Sequence, residues 1–281
     1  MFYKGAQLNL VRPREDNNVI YPELIIFEPD YLVNISTVAH CFTNYADSPF
    51  VELIKKLEPV TQSKAILLGS IAGQLLDESI HQLPNTNSFE DSWKEFYKCN
   101  AINLLTTDIG QEFEFKEEAR RQKQNIIKAI YSTLPQDVKG FNSKEGVVEP
   151  SFFSEMLGLQ GRMDYLQLDF KVLLEQKSGK GAFPQGNFII PKQTVEHYVQ
   201  MLLYVALIRY NYSDIYQSNG GIRASLLYSK YRESLCTPSY IAPELLFNAI
   251  KVRNGIAWTE MLYTQPSGYR ILDSLTPDRL N

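Results

Sequence analysis

Cysteine is close to absent, with Cys41, Cys99 and Cys236 the only three in 281 residues, far apart and without any C-x-x-C. That spacing excludes a disulfide framework and points to a reducing compartment. It also withholds the clustered thiolates that an iron–sulfur cluster or a Cys-rich zinc site requires, so neither is expected. Long apolar runs are missing as well. The longest, Tyr198 to Ile208, contains Gln200 and falls well short of the roughly 20 residues that cross a bilayer. The opening MFYKGAQLNLVRPRED has no apolar stretch of the kind a signal peptide carries, and a soluble, cytoplasmic protein is the expectation. No G-x-x-x-x-G-K-(S/T) loop occurs, because Ser178-Gly179-Lys180-Gly181 lacks the spacing, which argues against an NTPase. Positive charge is not in excess: the net charge is −4. For a protein acting on a polyanion that is not decisive, since the local patch facing phosphate governs binding.

What is present is enough apolar character, 44% of 281 residues, to bury a substantial core. Spacing predicts a mostly helical part over about 1–145, with helices over Ser48 to Leu57, Lys64 to Gln82, Ser88 to about Leu105 and Glu112 to Leu134. Val19 to Phe27 reads as a strand or extended arm broken by Pro22. After Gly146 the pattern changes to strands near 147–153, 158–166, 171–177 and 222–229, with a helix over Pro191 to Arg209 and a last one from Pro243 to about Asn254. The expected fold is α/β (α+β) in one domain spanning 1–281, with a mixed sheet of four or five strands flanked by helices.

The most informative stretch is Gly158 to Lys180, GLQGRMDYLQLDFKVLLEQKSGK. Side chains two apart on a strand share a face, so Glu175 and Lys177 point one way and Gln176 the other. A turn centred on Asp169-Phe170 sets Asp164 opposite Glu175 and Arg162 opposite Lys177, with opposed Cβ atoms about 4.5–5.5 Å apart. Two carboxylates that close repel, so one takes up a proton unless a cation lies between them. A hard divalent cation resolves the conflict and keeps waters for chemistry, while Lys177 could hold or help deprotonate an attacking water. Gln200 and Tyr204, four apart, share a helix face with His197 one turn earlier. A bare E-x-K is otherwise an ordinary surface pair, and a Gln and Tyr on one face are common in core helices.

Together, GRMD at 161–164, EQKSGK at 175–180 and QMLLY at 200–204 resemble the PD-(D/E)XK nuclease superfamily. Within it they are similar to the RecB-like branch, whose pattern is G-x-x-D, (D/E)-x-K-(T/S)-G and Q-x-x-x-Y. The wording is nearest to nuclease domains of the DNA replication helicase/nuclease kind. The resemblance covers roughly 155–230. It implies a restriction-endonuclease-like core and a Mg²⁺- or Mn²⁺-dependent DNA nuclease, exonuclease or flap endonuclease, acting on single-stranded ends or flaps in repair, replication or recombination. It implies Asp164, Glu175 and the main-chain carbonyl of Gln176 as metal ligands and Lys177 as the catalytic lysine. Gln200 and Tyr204 would contact DNA or orient the lysine, with Arg162 and Lys180 as further DNA contacts. DNA is the implied partner, with a helicase in the same or another chain, and the ending SGYRILDSLTPDRLN would on this resemblance be the edge of a longer helicase–nuclease.

The family's upstream motif, G-x-x-x-H-x-x-L-(D/E), is where the chain departs. Gly69 to Asp77 keeps the frame but has Gly73 in place of the histidine, leaving a ligand missing or supplied by Asp77 or Glu78. A catalytically silent DNA-binding module of the same fold is therefore the alternative. Basic residues Arg162, Lys171, Lys177, Lys180 and Lys192 are expected around the site, and Arg120-Arg121-Gln122-Lys123 reads first as a solvated helix face and second as a DNA contact.

Overall fold

The backbone turns sharply twice between Asn142 and Lys177, and those turns place the carboxylates. In this computed structural model residues 3–43, 47–81, 88–182, 192–233, 235–236, 242–264 and 268 are described. The chain begins with β1 (Leu8–Val11), a hairpin of β2 (Arg14–Asp16) and β3 (Val19–Tyr21), β4 (Leu24–Phe27), and β5 (Val33–Asn34) running into α1 (Ile35–His40). Helices α2 (Phe50–Leu57), α3 (Lys64–His81), α4 (Phe89–Thr106) and α5 (Glu112–Lys128) follow, then a π-helical turn, Ala129–Thr133, and α6 (Leu134–Asp137). The strand-rich half holds β6 (Gly146–Val148), β7 (Ser151–Ser154), β8 (Leu159–Arg162), β9 (Tyr165–Gln167) and β10 (Val172–Lys177). After it come α7 (Val195–Asn211), α8 (Ser213–Ser218), β11 (Arg223–Tyr228), β12 (Leu235–Cys236) and α9 (Pro243–Tyr263).

The fold is a mixed α/β one. The central sheet has the order β12-β11-β10-β9-β6, with β10 and β11 parallel and the other pairs antiparallel. Parallel neighbours need a long crossover, and α7 supplies it. Its N-cap is Thr194, whose hydroxyl accepts from the His197 N–H, three residues after the predicted start; Pro191 is outside the described residues. Residues alternate across the sheet as the period of two requires. Leu166, Leu173, Leu226 and Tyr228 join one core with α1, α7 and α9. Tyr165, Val172, Leu174 and Leu227 join a second core with α3, α4 and α5. The early helices are thus one covering layer of the sheet.

Three expectations need correction. The predicted strand 158–166 is two strands in different sheets: β8 pairs with β7 and β5, whereas β9 pairs with β6 and β10. The register is unbroken, with Val148 opposite Tyr165 and Ser151 opposite Arg162, so β6–β7 and β8–β9 form one ribbon that bends at Glu149-Pro150 and Met163-Asp164. Glu149 takes the left-handed conformation there, with φ +52°. The first thirty-four residues of the part expected to be mostly helical carry five short strands, with Pro22 separating β3 from β4 where the break in Val19 to Phe27 was expected. Finally, α9 runs on to Tyr263, past the predicted end at Asn254. Gly255 reads as a stop signal but is there for packing, since a Cβ on it would lie 2.7 Å from the Pro49 ring. The predicted turn at Thr237-Pro238-Ser239 is outside the described residues.

Candidate active site

Strand β10 carries the chemistry because its odd residues face α7 and its even residues face α3. The hairpin register is the predicted one, with Leu173 opposite Leu166 and Leu174 opposite Tyr165. Phe170, at φ +60°, makes the turn, and the Asp169 carboxylate accepts the Lys171 N–H at 3.0 Å. One step beyond the β9 ladder stands Asp164, whose Oδ2 accepts the Gln176 N–H at 2.6 Å. The bend in the ribbon therefore holds the carboxylate of Asp164 against the backbone of β10. Gln176 points its side chain the other way, donating to the Ala72 carbonyl of α3 at 3.1 Å.

Glu175 is 3% exposed. Its Oε1 accepts from Lys177 Nζ at 3.0 Å and from Gln200 Nε2 at 2.6 Å, and Gln200 Oε1 accepts a second Lys177 proton at 2.8 Å. Glu175 Oε2 is buried with no hydrogen-bond partner among the described residues. Burial, then the charge of Asp164, pushes the Glu175 carboxyl up to about 8, against the pull of Lys177. Burial likewise raises Asp164, opposed by Lys177 and the Gln176 N–H. These are the signs expected of a buried carboxylate and a half-buried one beside it that share too little positive charge.

Tyr204, one turn beyond Gln200, donates to the Arg162 carbonyl at 2.7 Å and so clamps the ribbon beside its bend. Gly161 belongs to that contact, because a Cβ on it would lie 2.8 Å from the Tyr204 ring and 3.3 Å from Ile35. Above this layer opens a cleft of about 820 Å³ whose wall includes Gly69, Gly73, Arg162, Asp164, Lys177 and His197. Gly73 faces open space: nothing lies within 4 Å of where its Cβ would be.

The remaining predicted residues divide between the margin of the site and places away from it. Asp77 lies one turn past Gly73 and outside the cleft wall; burial, then Glu149, lifts its carboxyl to about 6, with Asp164 contributing. Arg162 is exposed and paired with Glu149 at 3.0 Å. Lys180 and Lys192 are exposed, and neither is in the cleft wall. Lys171 is not near it: it pairs with Asp169 at the turn, the opposite end of β10 from Lys177. The Arg120–Lys123 group is largely packing rather than a basic face. Arg120 bonds Glu90 and Glu117, Lys123 is buried against Ser92 and Glu78, and Gln122 is buried between Ser178 and Ser229.

Sequence reading missed His40 and Glu196, which bond at 3.1 Å in the cleft wall from helices 156 residues apart, a pairing no local pattern announces. Burial lowers His40 below its ordinary range. His197, bonded to the Tyr228 hydroxyl at 2.9 Å, is lowered to about 4 by burial, Lys177 and His40. Burial thus disfavours the charged form of both imidazoles, against the pull of Glu196 at His40.

The donor set fits a hard divalent cation. It offers two carboxylates, the Gln176 main-chain carbonyl next to Glu175 in sequence, and one buried oxygen with no partner of its own among the described residues. No group of three or more His, Cys, Asp or Glu side chains placed to hold a metal occurs among the described residues, so the main chain would have to contribute. No described helix is long and apolar enough to cross a membrane.

No protein-family model matches the chain, and no curated protein does. Among solved structures, one described as a "putative exonuclease" from Eubacterium rectale aligns with a TM-score of 0.41 and 14% identity, covering 87% of this chain and 82% of that one.

Proposed function

We propose that this protein is a divalent-metal-dependent DNA nuclease of the PD-(D/E)XK type, hydrolysing phosphodiesters at single-stranded ends or flaps. The observation that carries the reading is Glu175, buried, held on one oxygen by Lys177 and Gln200 and left open on the other, with Asp164 set beside it by the bent ribbon. Buried polar atoms are almost always partnered, so an orphaned carboxylate oxygen in a site signals something the chain itself does not supply.

Asp164, Glu175 and the Gln176 carbonyl would hold Mg²⁺ or Mn²⁺, which when bound supplies charge neutralisation at the phosphate and a more acidic water. Lys177 has three N–H donors and spends two on Glu175 and Gln200, leaving the third for a water or a phosphate oxygen. Gln200 bonds both other members, so it fixes the ammonium and the carboxylate in one geometry. Tyr204 acts at one remove, by holding the Arg162 carbonyl and hence the bend that presents Asp164. Lys177 is the one cation bonded to Glu175 among the described residues.

The test is cleavage of 5′- and 3′-labelled single-stranded and flapped DNA with Mn²⁺, Mg²⁺ or EDTA. Metal-dependent products that fall to background in Glu175→Ala, with the fold retained, are expected; undiminished cleavage by that variant overturns the assignment. A second reading, the silent DNA-binding module, is favoured by the empty space at Gly73 where the family pattern has a ligand. It predicts salt-sensitive binding with no products in any metal.

A further inference from the structure

Far from the cleft, three arginines surround one carboxylate. A cavity of about 410 Å³ is lined by Arg12, Arg14, Tyr21, Pro22, Glu23 and Arg209. Glu23 is the hub: the Tyr210 hydroxyl donates to its Oε1 at 2.6 Å, Arg209 lies 3.5 Å from the same oxygen, and Arg12 lies 3.6 Å from Oε2. Arg12 and Arg209 both sit over the Tyr210 ring, 4.7 and 5.4 Å from its centroid. Burial and the bond to Glu23 raise Tyr210 to about 12, so it stays a neutral donor. One acid thus arranges two guanidiniums around a ring, and a third, Arg14, has no acidic partner among the described residues. The net charge of the cluster is positive.

The backbone is arranged to match. Arg12 is in the left-handed region at φ +46°, a conformation non-glycine residues rarely take and one that tends to mark ligand sites. In the hairpin Arg14 is opposite Tyr21, and opposed residues share a face. Tyr21 is 56% exposed, with Val19 beside it on that face at 47%. A large aromatic left in water opposite an arginine with no acidic partner among the described residues, beside two more guanidiniums that share one carboxylate, has the chemistry of a nucleotide site: a forked donor for the phosphate and a flat surface for the base.

We propose that Arg12, Arg14, Arg209 and Tyr21 form a second binding site, which takes a phosphodiester of single-stranded nucleic acid and stacks its base on Tyr21. Arg209 ends α7 while His197, in the cleft wall, begins it, so the two sites are about 18 Å apart along that helix at 1.5 Å per residue. A strand reaching both needs on the order of five nucleotides if its bases keep the stacked 3.4 Å rise of a duplex strand, and fewer if it is extended. The identity of the strand rests on the nuclease reading; the pocket's preference for phosphate with a base does not.

The experiment is fluorescence anisotropy of a labelled 20-nucleotide single strand in EDTA, over a salt series, with wild type, Arg14→Ala and Tyr21→Ala. Both residues are exposed, so the variants should fold, as circular dichroism will check. Arg14→Ala should weaken binding at least about five-fold and reduce the slope of log affinity against log salt by about 0.7, the share of one single-strand phosphate. Tyr21→Ala should weaken binding of the ordinary strand about five-fold or more while leaving an abasic strand unaffected. Unchanged affinity and slope in both variants overturn the site. Displacement of the strand by millimolar inorganic phosphate, with the same dependence on Arg14, overturns the strand assignment in favour of free phosphate. Because binding is read without metal, wild-type protein that binds in this way yet cuts nothing would sink the nuclease reading and leave the pocket standing.

Discussion

Two polar groups lie equally deep in this molecule and are treated in opposite ways. Arg253, fully buried in α9, spends all five of its N–H donors: Nε on the Gly158 carbonyl at 3.0 Å, Nη1 on the Phe27 carbonyl and Asn254 Oδ1, and Nη2 on the Glu28 and Tyr31 carbonyls. Gly158 has no side chain because a Cβ there would collide with the guanidinium at 2.2 Å. Glu175, nearly as dry, has one oxygen doubly bonded and the other with nothing among the described residues. A buried group that completes its hydrogen bonding within the chain holds the fold together; one that stops halfway destabilises it and waits for a ligand.

The widest separation between the two should come from removing each. Arg253→Ala removes the guanidinium that ties β4, the turn after it and Gly158 to α9 through four main-chain carbonyls, of which those of Gly158 and Glu28 keep the Val33 and Tyr31 N–H, and should cost at least about 3 kcal/mol in denaturant unfolding. Glu175→Gln removes a carboxylate that is dry and half satisfied, and should leave metal-free stability unchanged or raise it. A comparable loss in the glutamine variant would collapse the distinction.

Acidity gives a finer cut. Glu175 is raised from 4.5 to about 8, so between those values the folded protein holds a proton that the unfolded chain has released. Its contribution to metal-free stability is therefore complete below pH 4.5 and is lost as pH rises through about 8. His197, lowered to about 4, works in the opposite direction, but only below pH 6.5. Hence between pH 7 and 8.5 the melting temperature without metal should fall with pH, Glu175→Gln should flatten that fall, and Mg²⁺ or Mn²⁺ should oppose it increasingly as the proton it displaces becomes easier to lose. A flat wild-type profile there would place the proton elsewhere.

The smallest effects concern the glycines of the two motifs, which should respond with opposite sign. Gly161→Ala drives a methyl into the Tyr204 ring and Ile35, and should destabilise by about 1–3 kcal/mol with loss of the Asp164 geometry. Gly73→Ala meets nothing and removes a flexible residue from inside a helix, so a gain of about 0.5–1 kcal/mol is expected in thermal unfolding.

Sequence periodicity carried much of this site and stopped where side-chain alternation carries no information. The turn at Asp169-Phe170 was legible, and with it the register that brings Asp164 to the end of β10. The bend was not. A ribbon that leaves one sheet for another keeps its alternation, so nothing in the pattern moves Arg162 away from Lys177 and onto β7. The five N-terminal strands, of two to four residues, are too short for a period of two to register. Arg253 reads as an ordinary basic residue until the carbonyls of Phe27, Glu28 and Tyr31, more than 200 positions earlier, are folded around it. His40 and Glu196 were illegible for the same reason.

The crossover through α7 has a consequence for the order of assembly. The β9–β10 hairpin joins neighbours in the chain and can close within about 1–10 µs. The parallel strand β11 can join only after the helix between has been laid down, with a far larger loop to close. Asp164 and Glu175 would then meet while still in water, where their repulsion is weak, and become costly only when α7 seals over them and brings Gln200. The step that seals α7 over the hairpin would be the one that drives a proton onto Glu175.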